Sequence, residues 1–372
     1  MAIRIEEFLP PHIRALHPYI PGKPIEEVER ELKISAIKLA SNENPLGPSP
    51  LAIQAMRDYM EKVHRYPDGQ AYYLRHKLAE RFGVHADEVI LGAGSTDIIE
   101  MIAKAFLQHE AEGLTAEGSF VMYYVLVQMI GGTLHRVPLR DYTYDLEALA
   151  DAITPRIRVI FVANPNNPTG TYVRAREVDR FLARVPADVV VVLDEAYAEY
   201  VEDPGYSRSL EYVREGRNVV VLRTFSKVYG LAGLRVGYAF GPAPLISCLN
   251  LVRSPFNTAS ISQVAAMAAM DDTTHVRRSV EENARERAWL CERLDEMAVP
   301  YVSSVTNFLL IDTGRDANEA FQALLHLGVI VRPMKENGFP SFVRVTVGRR
   351  EENRRFVDAL RQVENKVSGV RC

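Results

Sequence analysis

The residues best suited to chemistry in this chain are Thr224-Phe225-Ser226-Lys227 and, eight positions past the lysine, Arg235 within Gly230-Leu231-Ala232-Gly233-Leu234-Arg235. Lys227 stands just past the run Val219-Val220-Val221-Leu222, beside two hydroxyls. A lysine at the end of a buried strand is costly unless it has a task, and the usual task is covalent: an amine that condenses with an aldehyde. Taken alone it also fits an ordinary surface lysine on a loop. What precedes it favours the amine. Asp194 closes another apolar run, Val189–Leu193, with Tyr197 three residues on. An acid there either caps a helix or holds a proton on a heterocyclic nitrogen through a charge-assisted hydrogen bond. Pyridoxal phosphate requires the second arrangement, because it stores electrons only while its ring nitrogen stays protonated.

Two further loops follow apolar runs. Asn164-Pro165-Asn166-Asn167-Pro168-Thr169-Gly170 is built of turn-forming residue types. It reads either as a tight turn or as a stiffened loop whose Asn167, with Tyr197, holds the phenolic oxygen of the cofactor ring. Two donors there would stabilise the oxygen as an anion. Gly92-Ala93-Gly94-Ser95-Thr96 joins a strand to a helix, where free amides bind phosphate. Thr224, Ser226 and Arg235 add two hydroxyls and one permanent cation to that corner.

These residues need elements that bring them together. Between about 89 and 240, short Val- and Ile-rich runs that do not alternate are separated by helical patterns. Such runs are strands buried on both faces, and with helices between them they predict a largely parallel α/β sheet whose chemistry gathers at the carboxyl ends of its strands. Residues 1–50 are rich in proline and read as an arm together with part of a smaller domain. Residues 51–265 read as the large domain and 266–372 as a small α+β domain. The Glu and Arg residues of 275–297 read as a solvated helix face with i,i+4 pairs such as Glu281–Arg285.

Composition narrows the function classes. Hydrophobic residues are 47% and charged residues 25%, and the formal net charge of −4 gives no case for nucleic acid. Cys248, Cys291 and Cys372 are scattered, with no CxxC pair and no metal-type spacing, so a reducing cytoplasm and no metal are expected. The first residues carry acids and no apolar core, unlike a signal peptide, and no apolar run reaches membrane-spanning length.

The chain resembles the pyridoxal-phosphate-dependent aminotransferases of the aspartate aminotransferase fold, and among them most resembles the histidinol-phosphate aminotransferase group. The resemblance rests on Leu39-Ala40-Ser41-Asn42-Glu43-Asn44-Pro45-Leu46-Gly47-Pro48, Arg65–Gly69, Asn164–Gly170, Asp194-Glu195-Ala196-Tyr197, Ser226-Lys227, Gly230–Arg235 and Val343–Gly348, in family order over nearly the whole chain. It implies a large domain with a mostly parallel, seven-stranded-type sheet flanked by helices, plus a smaller α+β domain. It implies that Lys227 condenses with the cofactor aldehyde and later shuttles the substrate proton. Asp194 would pair with the ring nitrogen, Asn167 and Tyr197 would hold the ring oxygen, and Phe120 would stack on the ring. Gly94, Ser95, Thr224, Ser226 and Arg235 would bind the phosphate. Tyr66 would reach the cofactor phosphate of a neighbouring subunit, which implies a homodimer with shared sites. Tyr19, Asn44, Arg332 and Arg344 would meet the substrates.

The implied reaction moves an amino group from histidinol phosphate to 2-oxoglutarate, giving imidazole acetol phosphate and glutamate. Departures from the family pattern at Gly118, Ala93 and Thr96, with a short 108–118 segment, leave the pocket's shape open. An aromatic or broad-specificity aminotransferase and a threonine-phosphate-type decarboxylase remain as alternatives on the same scaffold.

Overall fold

The computed structural model describes residues 8–16 and 23–368. Seven strands form the large sheet: β1 (Val89–Gly92), β2 (Glu112–Ala116), β3 (Thr133–Val137), β4 (Ile157–Ala163), β5 (Val190–Asp194), β6 (Val219–Thr224) and β7 (Gly237–Phe240). Their spatial order is β1-β7-β6-β5-β4-β2-β3; β7 runs antiparallel to both neighbours and every other pair is parallel. Val159–Val162, Val190–Leu193 and Val219–Leu222 are buried throughout. Helices cover both faces, which is why these strands show no polar alternation. Parallel register brings their carboxyl ends level, with Ala163 opposite Asp194 and Asp194 opposite Leu222.

A second, antiparallel sheet is made of β8 (Tyr301–Val302), β9 (Phe308–Asp312), β10 (Arg332–Pro333) and β11 (Phe342–Thr346), in the order β10-β11-β9-β8. Val343 and Val345 enter a separate apolar core with Leu309, Ile311, Leu324, Phe356 and Leu360. Side chains alternate along a strand, so Arg344 and Thr346 point the other way, toward the carboxyl edge of the large sheet.

The amino-terminal segment belongs largely to this smaller core. Ile37–Lys38 pairs in parallel with Val329–Ile330, Leu39 lies in the core, and helix Ile25–Leu32 packs through Val28 beside Leu325 and Ile330. Helix Thr273–Glu296 joins the two cores. Val276 and Val280 lie against the large one, while Leu290 and Leu294 lie inside the small one.

The solvated face expected of that helix is interrupted by Glu286, which is 2% exposed. Arg350 grips its carboxylate from the final helix through Nε at 2.8 Å and Nη2 at 2.9 Å, and lies over the Trp289 ring at 4.7 Å. Arg285 pairs with Glu282 and Glu286 instead of Glu281. Among the described residues no helix is long and apolar enough to cross a membrane.

Candidate active site

A cavity of about 250 Å³ opens where the carboxyl edge of the large sheet meets β10 and β11. Lys227, three residues past the end of β6, lines it half-buried. Its Nζ donates to the Ser41 carbonyl at 3.3 Å and stands 5.5 Å from the centroid of the Tyr197 ring.

Asp194, the last residue of β5, faces the same space at 5% exposure. Tyr123 donates its hydroxyl proton to Oδ2 at 2.8 Å and the Ala196 amide donates to Oδ1 at 3.2 Å. Burial pushes this carboxyl up to about 6. The two hydrogen bonds and the Lys227 cation oppose that rise, while the neighbouring Glu195 adds to it. Tyr123 is fully buried, stacked on Phe161 at 4.8 Å and set edge-on to Phe120 at 5.5 Å. Phe120 lines the cavity from the start of helix Val121–Met129.

Asn167 and Tyr197 both line the cavity, and each is engaged from the other side. Arg344 donates through Nη1 to Asn167 Oδ1 at 2.6 Å and through Nη2 to the Ala40 carbonyl at 2.8 Å. Asn42 Nδ2 donates to the Tyr197 hydroxyl at 2.9 Å. Arg332 and Arg344 are direct cross-strand partners on β10 and β11, and both reach the cavity.

The opposite corner is cationic. Gly94 precedes helix Ser95–Phe106 with φ +85°, and a Cβ there would run into the Arg235 guanidinium. Its absence lets Arg235 lie across the helix start, donating to the Ala232 carbonyl at 3.1 Å and the Ala93 carbonyl at 3.4 Å. The free amides of the first helical turn, the guanidinium, and the Ser95, Thr224 and Ser226 side chains converge on this corner, a set of groups that could hold an anion.

Residues 34–360 match the family of class I and II aminotransferases. The chain belongs to that family. A histidinol-phosphate aminotransferase of Moorella thermoacetica is 48% identical over 353 residues, covering 94% of this chain and 92% of that protein. One from Anaeromyxobacter is 47% identical over 358 residues, covering 95% and 98%. A crystal structure of histidinol-phosphate aminotransferase from Sinorhizobium meliloti in complex with pyridoxal-5'-phosphate superposes with a TM-score of 0.87 at 26% identity, covering 96% of this chain and 98% of that one.

Some expected site residues of this aminotransferase lie outside the cavity. Asn44 is buried with its amide committed to the Val228 carbonyl at 2.8 Å and Ser279 Oγ at 2.9 Å, so it tethers the segment that carries Ser41 and Asn42. Tyr66 is 83% exposed and stacks on Phe256 at 4.9 Å, beyond the cavity wall. Tyr19 lies outside the described residues.

The departures also acquire physical content. Gly118 has φ +72°, which proline cannot adopt, and a Cβ there would meet the Phe339 ring at 2.8 Å. Ala93 gives its amide to Asp97 Oδ2 at 2.8 Å, and Thr96 lines the cavity. Tyr123 and Asn42 carried no chemical signal of their own in the sequence. Tyr123 lies in the first turn of the helix that Phe120 precedes, so the three-residue spacing was the clue available.

Proposed function

We propose that this aminotransferase uses pyridoxal phosphate to transfer the amino group of histidinol phosphate to 2-oxoglutarate, with imidazole acetol phosphate and glutamate as products. The observation that carries the reading is the pair Arg332 and Arg344, directly opposite one another at the wall of a cavity that also holds Lys227 and Asp194. A phosphate or carboxylate seated between them would meet both guanidinium groups, and the guanidinium fork fits both anions. One pair therefore suits a phosphorylated donor and a dicarboxylic acceptor in turn. Relatives named histidinol-phosphate aminotransferases at 43–48% identity support this choice of donor.

The residues present fit the cofactor at each of its functional ends: an anion seat, a buried carboxylate, two ring-oxygen donors and a primary amine. When bound, pyridoxal phosphate supplies an aldehyde for the amine and a protonated ring that takes up the electron pair released at the substrate carbon. Lys227 Nζ would be the amine that holds that aldehyde, and the same nitrogen, placed at the cavity wall, would take and return the proton of the substrate carbon. Asp194 would hold the ring-nitrogen proton through a charge-assisted bond, and its burial would keep water from competing. Asn167 and Tyr197 would donate to the ring oxygen; Gly94, Ser95, Thr224, Ser226 and Arg235 would seat the phosphate; Phe120 would cover the ring. We further propose a cytosolic homodimer in which exposed Tyr66 serves the phosphate corner of a second copy.

The test loads the purified protein with pyridoxal phosphate and follows its visible absorbance. Histidinol phosphate should bleach it and 2-oxoglutarate should restore it, with phenylalanine far slower. Lys227→Ala should abolish turnover. Carbon dioxide release from threonine phosphate with the absorbance retained, or faster bleaching by phenylalanine, would refute the assignment.

A further inference from the structure

Tyr197 has one phenolic proton, and the neighbour that decides its direction is Asn42. Asn42 is 1% exposed and holds φ +56°, a left-handed conformation that asparagine tolerates far better than bulky residues. Its backbone is clamped by the small sheet: its N–H donates to Thr346 Oγ1 at 2.9 Å, and its carbonyl accepts from Asn307 Nδ2 at 2.9 Å. Thr346 Oγ1, already an acceptor, has its own proton left for Asn42 Oδ1 at 3.2 Å. This bond orients the amide. Its oxygen faces Thr346, so its Nδ2 faces Tyr197 Oη at 2.9 Å.

An oxygen that accepts from Asn42 does not donate to it. The Tyr197 proton must turn to the remaining side of the hydroxyl, where the ring lines the cavity. We propose that Asn42 is a positioning residue: it makes Tyr197 a donor into the cavity, and ties the aim of that donor to the strand bearing Arg344. Thr346 and Arg344 lie two residues apart on one face of β11, so the strand that meets the substrate anion also orients the ring-oxygen donor. The inference rests on the pyridoxal phosphate reading of the cavity and adds to it the residue that sets the polarity of one of its hydrogen bonds.

The charged groups facing Tyr197 remain in place in every variant considered, and Asn42→Asp alone adds a carboxylate to them. Lys227 lies over its ring, Asp194 and Glu43 share the cavity wall, and Arg344 lies 5.4 Å from the centroid of Phe308, whose ring meets that of Tyr197 edge-on. Asn42→Asp preserves shape and the left-handed backbone but replaces the donating amide with an acceptor. Tyr197 then gives its proton to residue 42 and withdraws it from the cavity. Asn42→Gly keeps the backbone and removes the amide.

The experiment titrates the visible absorbance of the pyridoxal-phosphate-loaded protein with pH and measures the cofactor dissociation constant, using wild type, Asn42→Asp, Asn42→Gly and the same changes in a Tyr197→Phe background. Losing a donor to the anionic ring oxygen should raise the midpoint by about one pH unit in Asn42→Asp and weaken cofactor binding roughly tenfold. Asn42→Gly should shift both in the same direction by less. In the Tyr197→Phe background the Asn42→Gly shift should vanish, because the donor it acts through is gone, and the Asn42→Asp shift should shrink to the direct effect of its added charge. Unmoved midpoints in both single variants, or equal shifts with and without the Tyr197 hydroxyl, overturn the inference while leaving the cofactor reading intact. A wild-type protein that develops no titrating absorbance with pyridoxal phosphate overturns both.

Discussion

Replacing Asp194 by Asn separates what this carboxylate does for a bound ring from what it does to the empty protein. In the protein without cofactor, burial raises its pKa from the ordinary 3.8 to about 6. The folded state therefore holds this proton more tightly than the unfolded chain. The group's stabilising contribution is fullest below pH 3.8 and is lost as pH rises to about 6. At about 1.36 kcal/mol per pH unit, the loss reaches about 3 kcal/mol by pH 7. Asparagine carries no charge to desolvate. Its amide oxygen still accepts from the Ala196 N–H, and the Tyr123 hydroxyl can turn to accept from its nitrogen. Urea denaturation of wild-type and Asp194→Asn apoprotein, compared at pH 4 and pH 7, should show the variant gaining about 2.4 kcal/mol on wild type between them, because the unfolded carboxyl is already half-ionised at pH 4. All other titrating groups are shared and cancel in the difference. Turnover of the loaded enzyme should move the opposite way, falling about 100-fold with the charge-assisted bond to the ring. A stability difference that stays constant from pH 4 to pH 7, or moves in favour of wild type, would refute the reasoning.

Arg344→Lys removes the fork that reaches both Asn167 and the cavity. The KM for histidinol phosphate should rise about tenfold to thirtyfold while the denaturation midpoint of the apoprotein barely moves. Gly118→Ala forces a side chain into a left-handed backbone against the Phe339 ring, and should lower unfolding stability by about 1–3 kcal/mol in urea titrations. Glu286→Ala strands the Arg350 guanidinium beside Trp289. A destabilisation of roughly 2 kcal/mol, little changed by added salt, is expected in thermal melts, since the carboxylate is buried and the pair is not a surface ornament.

The sheet was legible because its strands are buried on both faces and so spell unbroken Val and Ile runs, each ending in a residue of different character: Asp194 closing β5, and Thr224 closing β6 with Ser226 just beyond. The site was legible to the extent that its parts sit at those ends. What escaped depends on contacts between distant segments. Glu286 looked like one more acid on a solvated helix, because Arg350 and Asn353, which satisfy it, come 64 and 67 residues later. Asn42 and Asn44 stand two apart in one motif, yet one amide turns to the Tyr197 hydroxyl and the other to Val228 and Ser279. Chain direction, set by the left-handed backbone at Asn42, decides which does which, and residue type alone cannot. The expected substrate role of Asn44 followed from its place in that motif, while its geometry points to tethering.

The small core is assembled from both ends of the chain: Leu39 and the Ile37–Lys38 pairing come from one, and Val343, Val345, Phe356 and Leu360 from the other. On a ribosome the large sheet can close once β7 has emerged, but Ile37–Leu39 must wait about 290 residues for its partners. Such closure is slow and loop-entropic. The corner at Gly94 and Arg235 is thus complete early, whereas the wall of Arg332 and Arg344 forms last. A truncation of either terminal region should leave a chain able to bind cofactor-like anions yet unable to choose among amines.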